Sequence, residues 1–455
     1  MALMSPVDSM FLLMESREHP MHVGGLSLFT PPKGGGPDLA RSMYRDLSEV
    51  EAIRPLFRRK PQQLLSSFAP VVWATDKNVD LDYHVRLSAL PRPGRVRELL
   101  ELTSRLHGTL LDRHRPLWEV HVIEGLADGR VAVYMKTHHA LIDGVSASRV
   151  WYRSLSSDPQ GQFVPGWAQT QSTKSRPASN GGFNPMGMLG ATARTLRDVA
   201  GIAPATLTSA YQALNDNAAA VPFQAPKTMF NVPITGARRF AAQAWPIARL
   251  RAVSKDAGVT VNDTVLAMSA GALRRYLLEQ NALPDEPLIA MVPVSLRGEG
   301  EGDGNAVGAV LCNLGTELTD AAERLDRVHN SMRHSKNVLS GLSSLQSMAV
   351  SVLNVAGLAL TPVPGLLDRV TGPPFNIVIS NVPGPNKPMY WNGARMENMF
   401  PASIPVDGQA LNITVTSYAD SMQFGLVGCR RSVPSLQRML VHLEDALAEL
   451  EEATG

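Results

Sequence analysis

Residues 131–144 read Val-Ala-Val-Tyr-Met-Lys-Thr-His-His-Ala-Leu-Ile-Asp-Gly. Val131, Val133 and Met135 alternate with Ala132, Tyr134 and Lys136, which is the period of two expected of a strand. The alternation runs straight into His138-His139. Upstream, residues 118–123 carry a second strand pattern. Ala127-Asp128-Gly129 between the two reads as a hairpin turn, because Gly tolerates the positive φ that such turns need. Downstream, Gly144 is expected to allow a bend before a helix near residues 146–155. Two strands feeding a helix mark the first third of the chain as mixed α/β.

The pattern extends outward on both sides. Residues 22–29 are strand-like. In 37–53, Leu39, Met43, Leu47 and Val50 recur at three- and four-residue spacing, and 94–106 is a further helix candidate. Residues 159–184 are rich in Gln, Ser, Thr, Gly and Pro and read as a linker, with helices expected in 185–215. Strand patterns restart at 238–245. A helix follows at 246–255, and another at 264–280 with Asn262 or Asp263 as its cap. Strands are expected at 288–296, 306–318, 375–381, 411–418 and 422–429, and an amphipathic helix at 435–450. Helices and strands alternate irregularly. That predicts an α/β chain with a mixed sheet in each half rather than a barrel or a doubly wound sheet. The expected division is 1–158, a linker with helices at 159–230, and 231–455.

Composition narrows the function. The 455 residues hold 43 Lys plus Arg and 41 Asp plus Glu, a formal net charge of +2. Such a balance excludes a nucleic-acid binder, which needs a dense basic face. The 44% hydrophobic content, with six Trp and twelve Phe, excludes a mainly disordered chain. Two cysteines, Cys312 and Cys429, cannot build a disulfide framework and fit a reducing compartment. The first fifteen residues lack a basic leader, with Asp8 and Glu15 bracketing a short apolar run, so they do not read as a signal peptide. The expected location is cytoplasmic, with a peripheral place at a membrane or lipid inclusion surface. Charged residues make up 18%, against about 25% in an average soluble protein. The deficit is concentrated in residues 337–367, which carry no charge. Asn, Gln and several Ser in that stretch, with Pro362 and Pro364, argue against a membrane span. An apolar wall against a lipid substrate, or a buried helix, is expected instead.

His138-His139-x-x-x-Asp143-Gly144 is the strongest chemical signal. Adjacent histidines at a strand end point to opposite sides, so only one faces a given cleft. His139 and Asp143, four apart, share a side if the chain turns helically there. A neutral imidazole can take a proton near pH 7. Metal ligation is disfavoured, because adjacent histidines rarely chelate together and no third ligand sits at the right spacing. Ser269 in Ala-Met-Ser-Ala-Gly lacks the first Gly of a nucleophile elbow and lies in a helical pattern. The acidic run at 298–304 would repel phosphate, so it reads as a surface loop.

These residues, taken in order, resemble the bacterial wax ester synthase/acyl-CoA:diacylglycerol acyltransferase family. Its active-site signature matches His138-His139-x-x-x-Asp143-Gly144. Pro6-x-Asp8, Pro20-Met21-His22-Val23-Gly24-Gly25 and Pro116-Leu117-Trp118-Glu119 match in the first half. Asn262-Asp263, Pro293-Val294-Ser295-Leu296-Arg297, Ser380-Asn381-Val382-Pro383-Gly384-Pro385 and Tyr390-Trp391-Asn392-Gly393-Ala394 match in the second. Thr264 stands where an aliphatic residue is commoner. The His-His-x-x-x-Asp-Gly signature alone is shared with chloramphenicol acetyltransferase-like enzymes and peptide-synthetase condensation domains.

The resemblance implies two chloramphenicol acetyltransferase-like domains with an active-site tunnel between them. It implies O-acyl transfer from acyl-CoA, a substrate rather than a bound cofactor, to a fatty alcohol or diacylglycerol. His139 would be the general base. His138 would point away and hold the strand end. Asp143 would be structural, with Arg297 as the candidate partner, and Asn262 and Asn381 would be candidate substrate contacts. No metal or bound cofactor is expected. Two rivals are a related acyltransferase fed by a carrier protein and a non-catalytic lipid-droplet binding protein.

Overall fold

The structure is a computed structural model that describes residues 2–32, 34, 38–63, 71–169, 223–295, 307–340 and 372–455. Among these residues the chain builds two six-stranded mixed sheets and one small three-stranded sheet. The first large sheet runs in the order Tyr390–Trp391, Ala394–Ala402, His22–Thr30, Val131–His138, Trp118–Glu124, Val85–Ala89. Its neighbours are antiparallel except the last pair. The second runs Val307–Asn313, Ile289–Ser295, Ile377–Val382, Leu411–Tyr418, Ser421–Cys429, Arg238–Pro246. There Ile377–Val382 lies parallel to both neighbours and the other pairs are antiparallel.

Four helices, Ile247–Asp256, Val261–Glu279, Ala321–Ser340 and Arg438–Thr454, cover one face of the second sheet. Leu250, Leu266, Leu273, Leu325, Leu443 and Leu447 meet Ile377, Ile413 and Leu426 in its core. Each such side chain, fully buried, contributes about 1.5–3 kcal/mol of transfer free energy. Val261–Glu279 is buried nearly all round, as a helix at the centre of a layer must be. Ser269 lies inside it and donates to the Val265 carbonyl at 2.8 Å, so it is not an exposed nucleophile.

The helix start differs from the sequence expectation. Thr260 is the cap: its hydroxyl accepts from the Asp263 N–H at 3.2 Å, and the Asp263 carboxylate accepts from the Thr260 N–H at 3.0 Å. This reciprocal box satisfies two otherwise orphaned donors, and it places Asn262 and Asp263 inside the first turn. The strand expected at 306–318 ends at Asn313, where Gly315 turns at φ +57°.

Two strands of the first sheet come from late in the chain. Ala394–Ala402 pairs with His22–Thr30, and Tyr390–Trp391 extends the edge. The two halves therefore share one core, in which Leu26, Leu28, Leu99 and Tyr134 meet Phe240, Phe400 and Val427. The crossing strand also lies against the second sheet. A Cβ on Gly425 would sit 1.8 Å from the Pro401 carbonyl oxygen, so only glycine permits this approach. Alongside, Asn398 donates to Gln423 at 3.1 Å. Helix Val96–His107 completes the seam, with the Ser104 hydroxyl accepting from the Phe240 N–H at 2.8 Å.

Candidate active site

The strand Val131–His138 ends on the His-His pair. His138 is its last residue and opposes His22 on the neighbouring strand. Its side chain is 0% exposed. Nδ1 accepts from the Ala140 N–H at 3.0 Å, so the proton of the neutral ring sits on Nε2, 3.2 Å from a Glu15 carboxylate oxygen. The ring thus pins the turn after the strand, where the His138 carbonyl also accepts from the N–H groups of Leu141 and Ile142.

His139 leaves the strand in the other direction. Its backbone N–H donates to the Met21 carbonyl at 2.9 Å. Its imidazole is half-buried and stacks on the Phe11 ring, with centroids 4.0 Å apart and planes 25° apart. Burial pushes the imidazole below its ordinary value. The charge of Asp143 partly offsets that shift, His138 adds to it, and the backbone carbonyl of His139 and the charge of Asp8 oppose it. An imidazole held below 6.5 is neutral at pH 7.

Asp143 is the cap of helix Gly144–Ser154. Its carboxylate accepts from the Ser146 N–H at 2.9 Å and from the Ser146 hydroxyl at 2.7 Å. An acidic cap here also complements the helix dipole. Gly144 does not serve as a bend. It is the first helical residue with no left-handed φ, and a Cβ there would meet only Val23, at 4.0 Å. Its lack of a side chain leaves open space beside the turn instead. Arg297 and the run 298–304 lie outside the described residues, as do most of the uncharged stretch 337–367 and the helices expected in 185–215.

The second half meets this helix at Trp151, whose ring lies 5.9 Å from that of Trp391, and at Tyr152. Tyr152, on Gly144–Ser154, reaches the exit of strand Ile377–Val382. A Cβ on Gly384 would lie 3.1 Å from the Tyr152 hydroxyl and 2.1 Å from the Ser417 carbonyl oxygen, so this approach too requires glycine. Burial pushes the Tyr152 phenol up to about 12, opposed by the Thr416 hydroxyl it faces, and it stays neutral. Three residues back along the exit, the Asn381 amide donates to Asn262 Oδ1 at 3.2 Å. The structure thus brings Asn262 and Asn381 together, both half-buried. Asp263, beside them, is held by His329 Nδ1 at 2.9 Å.

Phe11, Glu15, Arg113 and Tyr152 were not singled out from sequence. For Phe11 and Glu15 a signal exists. Ser5-Pro6-x-Asp8 reads as a cap, a proline in the first turn and an acid at the third position, and Ser5 does cap helix Pro6–Met14, accepting from the Asp8 N–H at 3.0 Å. Among the described residues there is no group of three or more His, Cys, Asp or Glu placed to hold a metal ion.

A half-buried imidazole at a strand end, beside two mixed sheets that share a core, fits a chloramphenicol acetyltransferase-like fold. Residues 4–265 match the wax ester synthase/diacylglycerol acyltransferase catalytic domain, and residues 303–451 match the C-terminal domain of the same family. The chain is 56% identical to a Mycobacterium tuberculosis protein named probable diacylglycerol O-acyltransferase, with all of both chains covered. The solved wax ester synthase/diacylglycerol acyltransferase of Marinobacter aquaeolei is 41% identical over all of both chains, with a TM-score of 0.78. The first condensation domain of the calcium-dependent antibiotic synthetase shares the fold at 17% identity and a TM-score of 0.58, covering 99% of this chain and 95% of that one. The chain belongs to the wax ester synthase/diacylglycerol acyltransferase family, and it is an acyltransferase.

Proposed function

We propose that this chain moves a fatty acyl group from acyl-CoA to the hydroxyl of a long-chain alcohol or a diacylglycerol, with His139 as general base. The observation that carries this is the neutral, half-buried His139 imidazole at the strand end, held low by burial. The acceptor hydroxyl gives its proton to His139 as its oxygen attacks the thioester carbonyl. The tetrahedral oxyanion then collapses, the carbon–sulfur bond breaks, and His139 returns the proton to the CoA thiolate. A positioned base of this kind supplies roughly 10²–10⁴-fold. Positioning and donors to the oxyanion supply the rest.

Asp143 acts at one remove, fixing the helix that follows the turn. Asn262 and Asn381 are assigned to the substrate side, because they sit together beside the exit that Tyr152 contacts. A peripheral place on a lipid surface is supported by Leu3, Met10 and Leu13, exposed at 41%, 39% and 73% on the N-terminal segment that carries Phe11. Exposed apolar side chains of this density on one short segment fit an apolar partner. No described helix is long and apolar enough to cross a membrane.

The test is purified protein with palmitoyl-CoA and either hexadecanol or a diacylglycerol, following free CoA thiol. His139→Ala is expected to abolish transfer while leaving the melting curve intact, and His138→Ala to retain measurable activity. Wild-type rates in His139→Ala would refute the assignment of the base.

A further inference from the structure

The segment from Phe11 to Met21 holds His139 twice. Phe11 covers one face of its ring at 4.0 Å, and the Met21 carbonyl accepts its backbone N–H at 2.9 Å. The same segment is latched at its middle. The Glu15 carboxylate, 1% exposed, meets Arg113 Nε at 2.9 Å, His138 Nε2 at 3.2 Å and the Met21 N–H at 3.3 Å. Arg113 also donates to the Leu12 carbonyl at 2.6 Å. The latch therefore fixes the end of helix Pro6–Met14, one turn from Phe11, and the strand start that receives His139.

A flat ring stacked on a flat ring restricts rotation about the imidazole's outer torsion, which is otherwise soft. The ring also keeps water off that face. Positioning of a base within a few tenths of an ångström decides whether it can reach the proton it abstracts.

We propose that Phe11 is a positioning residue for His139, its ring setting the plane of the imidazole and excluding water from one face, with Glu15 and Arg113 holding Phe11 in place. This rests on the assignment of His139 as the base. The charged and titratable groups acting on His139 are Asp143 from its own turn, His138 from the strand, and Asp8 from the Phe11 helix. Of the influences on its proton affinity, the covering ring is removed by a Phe11 substitution while all three of those groups stay. Burial favours the neutral imidazole, so uncovering the face raises the proton affinity toward the ordinary 6.5.

The experiment uses the full chain and two readouts. The first is kcat, KM and the pH profile of kcat/KM, by thiol release from palmitoyl-CoA. The second is the titration of His139 by NMR of ring-labelled histidine, its signal identified by its loss in His139→Ala. For Phe11→Ala the expected result is a fall in kcat of about 10–100-fold, little change in KM, and movement of both the acid limb and the His139 titration upward toward 6.5. Phe11→Tyr, which restores a stacking ring, is expected to recover most of kcat and the original titration. Phe11→Leu keeps the volume without a flat face. It guards against a folding defect and is expected to recover the melting temperature but not kcat. A Phe11→Leu protein with wild-type kcat and an unmoved titration overturns the proposal. So does a Tyr variant no better than Ala. If His139→Ala stays active, the base assignment fails, while the NMR titration still decides whether Phe11 covers the ring.

Discussion

Gly425→Ala is the substitution whose effect the structure specifies most closely. A Cβ at this position falls 1.8 Å from the Pro401 carbonyl oxygen and 2.9 Å from its carbon. Both are backbone atoms, so no rotamer change relieves the contact. The crossing strand must retreat by about 1 Å to reach the shortest distance real Cβ contacts show. Phe400 and Ala402 would then separate from Phe240 and Val427 in the shared core. Overpacking of a close-packed interior costs about 1–3 kcal/mol, and a backbone clash belongs at the top of that range. The expected loss is about 3 kcal/mol, which for a chain of 455 residues is a fall in melting temperature of about 3 °C. Gly428→Ala, three residues along the same strand, is the control. Its Cβ would meet only Leu436 and Val433 side chains, at 3.4 Å. Its melting temperature should stay within about 1 °C of the parent, since only a small strand-propensity change remains. Thermal melts of the three proteins by circular dichroism read the difference. A Gly425→Ala protein that melts with the Gly428→Ala control would refute the close seating of the crossing strand.

Two further expectations concern stability. Burial holds His107 down to about 4, where its Nδ1 meets the Tyr134 hydroxyl and its Nε2 the Ser403 carbonyl, and it also pushes His22, His84 and His121 down. The unfolded chain takes up these protons near 6.5 and the folded one does not, so stability falls as the pH drops through 6.5 and the His107 share levels off only below about 4. That share is on the order of 3 kcal/mol, so urea midpoints measured at pH 7 and pH 5 should differ plainly, and equal midpoints would contradict the burial of these rings. Thr260→Ala removes the cap of the central helix and should lower stability by about 1 kcal/mol, with Thr260→Ser restoring it. An Ala variant as stable as the parent in the same urea titration would show that the box does not hold the helix start.

The sequence was most legible where one local rule acts alone. Residues 411–418 alternate cleanly and end in a tight turn, and the strand Leu411–Tyr418 has those bounds. The His-His-x-x-x-Asp-Gly run could be placed at a strand end from its alternation, because the signal is all local. The strand Ala394–Ala402 reads Ala-Arg-Met-Glu-Asn-Met-Phe-Pro-Ala, with Pro401 inside it and no clean period. Its pairing with His22–Thr30 makes it a strand, and that partner lies in the other half of the chain. Asn262 or Asp263 is the cap expected from residue type, but Thr260 also caps well, and only its reciprocal bond with Asp263 singles it out. Phe11 and Tyr152 illustrate the same limit at the site. Each is an ordinary aromatic on an ordinary helix, and nothing within ten residues says that one lies on His139 or that the other faces Gly384.

The crossing strand also orders the protein's own birth. His22–Thr30 can pair with Val131–His138 soon after both leave the ribosome, but its other edge waits for Ala394–Ala402. At roughly 5–20 residues per second that wait lasts on the order of tens of seconds. Throughout it, a nascent chain carries an unpaired edge ending at the histidine pair's own neighbour, His22, and such edges invite pairing with other chains. Crowded polysomes are therefore where this acyltransferase is most vulnerable. A gene split anywhere between the two halves would leave the N-terminal piece with the edge open for good, whereas a circular permutation that brings residues 390–402 ahead of residue 22 would close it first.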